Sequence, residues 1–493
     1  MLSKSIVRSS AVLFAIRLFQ RSIGLVSTLI LARLLTPADY GVVAIASISV
    51  FLFEAMAQLG TGEYLVQKKA LSDGDINTAW TLNLLSKFVF WVIFVAIVPL
   101  ISAYYEKPEL KPVLWVVSLI LPIYAMGNVT GMELYRRELN YVPLLYLSAI
   151  EKIGAFLVML LMLAVARNYW VMIVSMLSAS IINCLGSYYF ASHRPRFCVS
   201  QLKVQWDFSK WVLPQGAIGF IKSEFDSMVV SKFYGVVALG GFNLVKSLTL
   251  MVGRDVIQPA TEPLLASFSR SRDDIQNMGF QFTMSLWLIS LFVVPVVAFV
   301  YQFGDMIVFV LYGDQWLEFG SVLKYFSILM WSLSIGGVCV HLLTSLGKVR
   351  FLFLYELIAF GLIVCALLGV RFESIESFSL FRVMIAVALV VVLFIRVWVV
   401  IRFPVFRLLV LLPGVVVPVL LCLAMAAIMR SMIDMNIYVE FVLVGGAYVL
   451  AYSLCLCVVL FCYKGTIEGS YMLWLLKENL LPVLVRFRKW RII

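Results

Sequence analysis

The sequence predicts an all-α polytopic membrane protein of about 14 transmembrane helices. They are expected as two six-helix lobes related by a pseudo-two-fold along the membrane normal, plus two accessory helices. Three observations predict this. Of 493 residues, 63% are hydrophobic and 13% charged, with mean hydropathy +1.01; a soluble chain carries about a quarter charged residues. Apolar runs of helical length alternate with short charged loops, without the alternating ten-residue segments of a membrane β-barrel. Lys and Arg concentrate in loops on the side of the N-terminus, the positive-inside pattern, which places both termini in the cytoplasm. The net charge of +12 therefore follows from topology and does not indicate nucleic acid.

Lys4 and Arg8 precede an apolar run with no small-residue cleavage site, so no cleavable leader is expected. Spans are predicted at 11–32, 40–60, 79–103, 113–132, 143–165, 169–191, 209–232, 237–258, 280–303, 321–345, 350–370, 380–401, 406–429 and 438–463. The N-terminal lobe is 1–191. A basic segment, ASHRPRFCVSQLKVQWDFSK, follows it, and its residues 192–208 form a cytoplasmic linker. The C-terminal lobe is 209–402, and the charge-poor pair 403–463 forms lipid-facing accessories. The tail 464–493 is aromatic and aliphatic and ends in a basic cluster, as an interfacial helix on anionic lipid would.

The two lobes repeat weakly. An offset of 199 residues aligns Gly41 with Gly240, Glu63 with Glu262, Leu65 with Leu264, Arg33 with Lys232, and SDGDIN (72–77) with SRDDIQ (271–276). The register stays ungapped across two spans and the following loop. With six spans per repeat, both halves insert the same way round, which predicts a cavity between them.

Polar residues inside the spans are the functional signal, because an intramembrane charge is costly and usually faces a pathway or a partner. Span 1 contains RLFQRSIG (17–24), and Arg17, Gln20, Arg21, Gly24 and Thr28 share one helical face. Arg17 is near enough to the cytoplasmic end to snorkel to the headgroups. Excluding Arg21 would leave only 23–35, too short to cross comfortably. Span 7 has Pro214, Gln215 and Gly216, which should kink or loosen the helix. Lys222, Glu224 and Asp226 follow, with Lys222 and Asp226 at pairing distance along the helix.

Other spans add Glu54 and Gln58 with Ser47, Asn83 and Lys87, Glu151 and Lys152, and Asn243 and Lys246 with Arg254. Ser334, His341 and Ser345 form a stripe in span 10, and span 11 carries Glu356. The slight cationic excess, in low dielectric, favours an anionic ligand. Arg17, Arg21, Lys222, Lys246, Lys87 and Gln20 are the candidate substrate-binding residues. Asp226, Glu224 and Glu54 are the candidates for charge tuning or for a coupling ion, H⁺ or Na⁺.

No catalytic constellation is apparent, so an enzyme is not expected. The eight cysteines include no Cys-x-x-Cys, and with two histidines they suggest apolar packing rather than metal. No cofactor is implied.

At LARLLTPADYGVVAIA (31–46) and LGTGEYLVQKKALSDGDINTA (59–79) the chain resembles the polysaccharide-transporter branch of the multidrug/oligosaccharidyl-lipid/polysaccharide exporter superfamily. LTSLGKVRFLFLYELI (343–358) resembles it too. The resemblance implies an alternating-access flippase of the bacterial inner membrane. It would carry undecaprenyl-diphosphate-linked oligosaccharide to the periplasmic leaflet for O-antigen or exopolysaccharide synthesis, alongside polymerase and chain-length proteins. It also implies a cationic cavity on helices 1, 2, 7 and 8, where Arg17, Arg21, Lys222 and Lys246 fall. An ion-coupled multidrug or cation antiporter of the same fold would instead carry an acidic or apolar cavity. A membrane glycosyltransferase or polymerase would need long extramembrane loops.

Overall fold

The structure, a computed structural model, describes residues 2–463 other than 69, 139, 252, 254–256, 371 and 434. The side chains of 2–15, 17, 18, 211, 258–260 and 460 also lie outside the described set, and so does the tail 464–493. Helix dominates: nineteen α-helices among the described residues. The chain forms two compact units, Met1–Leu244 and Val245–Ile493.

The first unit opens with α1 (Leu2–Leu34) and α2 (Pro37–Ala57). Within the phrase LTPADYG, Thr36 and Asp39 form a capping box and Pro37 occupies the first helical turn. Short α3 (Thr61–Gln67) leads to α4 (Asp73–Tyr104), which a second capping box between Ser72 and Asp75 starts. α3 is docked by polar bonds. Lys68 pairs with Asp75 at 2.5 Å, and the Arg137 guanidinium donates to the Leu65 and Lys68 carbonyls. The carboxylate of Asp75, and then the Tyr64 hydroxyl, hold the Lys68 ammonium above its usual lysine range.

Span 4, expected as one helix, is broken into α5 (Leu110–Ser118), α6 (Ile120–Met126) and α7 (Val129–Arg137), with a bend of 55° between α6 and α7. The cause is local. Gly127 is extended, and Asn128 restarts the helix by accepting from the Gly131 amide at 3.1 Å. The freed Asn128 amide donates to the Ser187 hydroxyl at 2.8 Å. α8 (Val142–Val165), α9 (Trp170–Phe190) and α10 (Leu202–Phe233) follow. The helix runs unbroken through Pro214, where looser structure was expected.

The linker is strapped to the first turns of α4. Asn77 Oδ1 accepts from the Arg196 amide, Thr81 from the Cys198 amide, and Gln205 donates to the Asp75 carbonyl at 2.7 Å.

α11 (Gly235–Met251) spans the boundary of the two units. The second unit continues with α12 (Gln258–Arg270) and α13 (Ile275–Tyr312), then a 3-10 turn at Asp314–Phe319. α14 (Gly320–Ser345), α15 (Val349–Gly369) and α16 (Ile375–Ile401) complete its bundle. Its core joins Phe282, Leu286, Val338, Leu342, Val397 and Phe403.

The accessory pair is α17 (Val405–Leu411) with α18 (Pro413–Met432), then α19 (Ile437–Cys462). Pro295, inside α13, has no N–H to give the Leu291 carbonyl. Tyr452 of α19 supplies the missing donor at 2.7 Å, and Tyr448 donates to the Pro295 carbonyl at 2.9 Å.

Every expected span has a helix over it. Ten of the described helices are long and apolar enough to cross a membrane, and the bent α5–α7 segment makes an eleventh. Three expected spans fall outside this set: α1, whose first turns have side chains outside the described residues; α10, which carries three ionisable residues within five positions; and α11, which is apolar but has only 17 residues.

Candidate functional site

On α1 the side chain of Arg17 lies outside the described residues, whereas Gln20 and Arg21 are half-buried. Gly24, one turn on, is exposed, and a Cβ there would meet nothing within 4 Å. The polar face of α1 therefore borders open space. Thr28 keeps its own hydroxyl busy by donating to the Gly24 carbonyl at 2.9 Å.

α10 presents a comparable face. Lys222 is exposed, and Gly219, one turn earlier, likewise has open space where a Cβ would stand. Asp226 is buried at 9% exposure, and Glu224 is half-buried. Ser227 Oγ lies 3.0 Å from Glu224 Oε2 and 2.8 Å from Asn243 Oδ1, tying the carboxylate of α10 to α11. Lys246, on the part of α11 that belongs to the second unit, is buried.

Lys87 is placed differently. It is 7% exposed, and its ammonium sits 5.4 Å from the centre of the Tyr124 ring. Across from it, α2 brings Glu54 into electrostatic reach. α8 carries a further charged pair. Glu151 accepts from Asn183 Nδ2 at 2.8 Å and stands 3.8 Å from Lys152. Thus α2, α4 and α8 carry two carboxylates and two ammonium groups within the first unit, of which Lys87 is buried.

Sequence reasoning missed Tyr124, Asn183 and Ser227, which organise these charges. An asparagine and a tyrosine inside apolar runs were visible signals, but their partners lie tens of residues away. Two cations of the second unit were also missed. Arg396 lies over the Phe351 ring at 4.9 Å and Lys324 over the Tyr301 ring at 4.9 Å, so both cations face aromatic rings.

Bundles of apolar helices with ionisable side chains set into them define a multi-pass membrane transporter. The chain belongs to the family described as polysaccharide biosynthesis protein, whose model matches residues 30–321. It is 19% identical to the lipopolysaccharide biosynthesis protein WzxC of Escherichia coli (strain K12), over 68% of each chain. It is 23% identical to the succinoglycan biosynthesis transport protein ExoT of Rhizobium meliloti (strain 1021), over 67% of each. Among solved structures it resembles the lipid II flippase MurJ in an inward closed conformation. The TM-score is 0.72 at 14% identity, covering 92% of this chain and 99% of that one. A multidrug resistance MATE family transporter of the MOP superfamily matches with TM-score 0.57 at 12% identity, over 79% of this chain and 98% of that one. These two likenesses show the shared fold.

Proposed function

We propose that the protein is a flippase moving a lipid-linked oligosaccharide repeat unit, carried on undecaprenyl diphosphate, from the cytoplasmic to the periplasmic leaflet for surface polysaccharide synthesis. The observation that carries the reading is that α1 and α10 carry Arg21, half-buried, and Lys222, exposed, one turn from Gly24 and Gly219, where each helix borders open space. A guanidinium matches a diphosphate through paired N–H donors, and lysine adds a mobile point charge. Arg17 extends the same chemistry along α1, and Gln20 offers hydrogen bonds to sugar hydroxyls; Lys246, on α11, is a further candidate cation. Family membership and relatives named for lipopolysaccharide, succinoglycan and amylovoran synthesis support a polysaccharide precursor as cargo. Asp226 and Glu224 tune the positive field and, with Glu54, offer carboxylates to a coupling H⁺ or Na⁺.

The protein sits in the bacterial inner membrane with both termini in the cytoplasm, and hands its cargo to a polymerase and chain-length proteins. A deletion strain tests the assignment. It should accumulate the lipid-linked repeat on the cytoplasmic leaflet and lose surface polymer. Unchanged polymer, in a strain with no second exporter, rejects the flippase reading.

A further inference from the structure

The two units differ at one repeat-related junction. The 199-residue offset pairs Lys68 with Ser267, Leu71 with Arg270, Ser72 with Ser271 and Asp75 with Asp274. In the first unit Lys68 bridges to Asp75 across the junction of α3 with α4. Ser267 is too short for such a bridge and instead donates to Gln281 Oε1 at 3.0 Å. A cleft of about 450 Å³ lies at this point between α12 and α13. Pro263, Ala266, Ser267, Arg270, Ser271 and Gln281 line it.

The cleft has donors to spare. Ser271 Oγ accepts from Gln281 Nε2 at 2.8 Å and from Asn277 Nδ2 at 3.4 Å, so its own hydrogen must go elsewhere. Among the described residues, no acceptor takes it. The Arg270 side chain is exposed, and among the described residues no carboxylate lies within 4.0 Å of its guanidinium. Two carboxylates are close in sequence. Asp274 turns its own to the Asn277 amide at 2.9 Å, capping α13, and Asp273 is exposed and does not line the cleft. Positive charge prevails around them. A guanidinium nitrogen of Arg272 lies 3.8 Å from where a Cβ on Gly347 would stand, and Lys348 and Arg350 follow, both exposed.

Unmet donors beside a cationic patch call for an anion rich in acceptor oxygens, and the place narrows its source. α13 is long and apolar enough to cross a membrane, and Gln281 lies in its second turn. The cleft is therefore where a span begins, the level of lipid headgroups, and basic pockets between spans are suited to anionic lipid. We infer that it seats the phosphoryl group of an anionic glycerophospholipid such as phosphatidylglycerol. Arg270 offers paired N–H donors to the phosphate oxygens, and Ser271 adds its hydroxyl. Pro263 and Ala266 give the glycerol an apolar wall. A zwitterionic lipid would bring an ammonium into the same positive field and is disfavoured. The bound lipid ties α12 to α13 where the first unit uses its own ion pair. This inference does not rest on the transport reading.

Native mass spectrometry of purified full-length protein tests it. The protein is titrated separately with phosphatidylglycerol, phosphatidylcholine and inorganic phosphate, and the affinity of the first adduct is read. Phosphatidylglycerol should bind more tightly than phosphatidylcholine. Arg270→Gln should weaken that first adduct about tenfold or more, as expected for the loss of a charge-assisted bond. Ala266→Phe, which fills the cleft without changing charge, should weaken it too. Arg272→Gln, which removes a neighbouring cation outside the lining, should leave it nearly unchanged. All three positions are exposed, so none of these substitutions enters the core. Equal binding of the two lipids overturns the inference. So do equal losses from Arg270→Gln and Arg272→Gln, or a first adduct that Ala266→Phe leaves intact, since either reduces the seat to a diffuse charged surface. An inorganic phosphate adduct that alone responds to Arg270→Gln gives the cleft to a soluble anion and overturns the lipid assignment. The flippase assignment is left to the deletion strain in every case.

Discussion

Gly41 and Gly240 lie against each other. A Cβ on Gly41 would fall 1.9 Å from the Val236 carbonyl oxygen, and one on Gly240 would fall 2.1 Å from the Pro37 oxygen and 2.7 Å from the Gly41 nitrogen. These are the glycines that the 199-residue offset aligns. The first turns of α2 and α11 thus cross backbone to backbone at repeat-related positions, each serving as the other's partner. Glycine is needed here for close approach, since neither residue has a positive φ.

The crossing predicts that Gly41→Ala and Gly240→Ala are each destabilising. The obstructing atoms are backbone, which cannot rotate away, so overpacking of about 1–3 kcal/mol is expected. Thermal unfolding in detergent, followed by size-exclusion fluorescence, should show a lowered midpoint for both. A midpoint equal to wild type would mean that the two helices part without cost.

The junction of α19 with α13 predicts a non-additive pair. Tyr452→Phe removes the donor that serves the Leu291 carbonyl and should cost about 1 kcal/mol. Pro295→Ala supplies a backbone N–H to that same carbonyl, so in its presence Tyr452→Phe should cost much less. A double-mutant cycle on thermal stability reads the difference. Equal losses in both backgrounds would show that the hydroxyl does not substitute for the helical bond.

Much of this was legible beforehand because membrane helices declare themselves by hydropathy and because caps are local. LTPADYG and ALSDGDIN contain the Thr36–Asp39 and Ser72–Asp75 boxes, so two of the most recognisable phrases in the chain are helix starts. The offset of 199 likewise pointed to Gly41 and Gly240 as equivalent, though not to their being in contact. What hydropathy hid was anything decided by a single polar bond or by a neighbour remote in sequence. The break at Gly127–Asn128 depends on Ser187, some sixty residues later. Lys87 reads as one more intramembrane cation until α6 sets Tyr124 beside it. Helical periodicity placed Arg21, Gly24 and Thr28 on one face, but only the fold shows that face bordering open space at Gly24.

The dock of α3 against α4 and α7 predicts a pH dependence with a defined sign. Hydrogen bonding to Asp75, and secondarily to Tyr64, raises the folded-state affinity of Lys68 for its proton. A raised cationic group contributes stability that is complete below its unfolded value, about 10.4 for lysine, and is lost as pH climbs through the higher folded value. The wild-type melting temperature should therefore fall more steeply above about pH 10 than that of Asp75→Asn, which has already lost the pair. Parallel alkaline limbs would show that the exposed bridge contributes nothing measurable.

The cationic faces of α1 and α10 predict distinct responses in export. Arg21→Ala and Lys222→Ala, at normal protein level in the membrane, should each lower surface polymer about tenfold or more if a diphosphate loses a charge-assisted bond. Arg21→Lys keeps the charge but not the paired N–H geometry, so it should retain part of the activity. Arg17→Ala separates two roles for a residue one turn nearer the N-terminus of α1. Loss of export comparable to that of Arg21→Ala places it on the substrate path, whereas undiminished export makes it a headgroup anchor. If Arg21→Ala and Lys222→Ala both export normally, the cargo's diphosphate is not held by these faces, and the binding assignment for α1 and α10 fails.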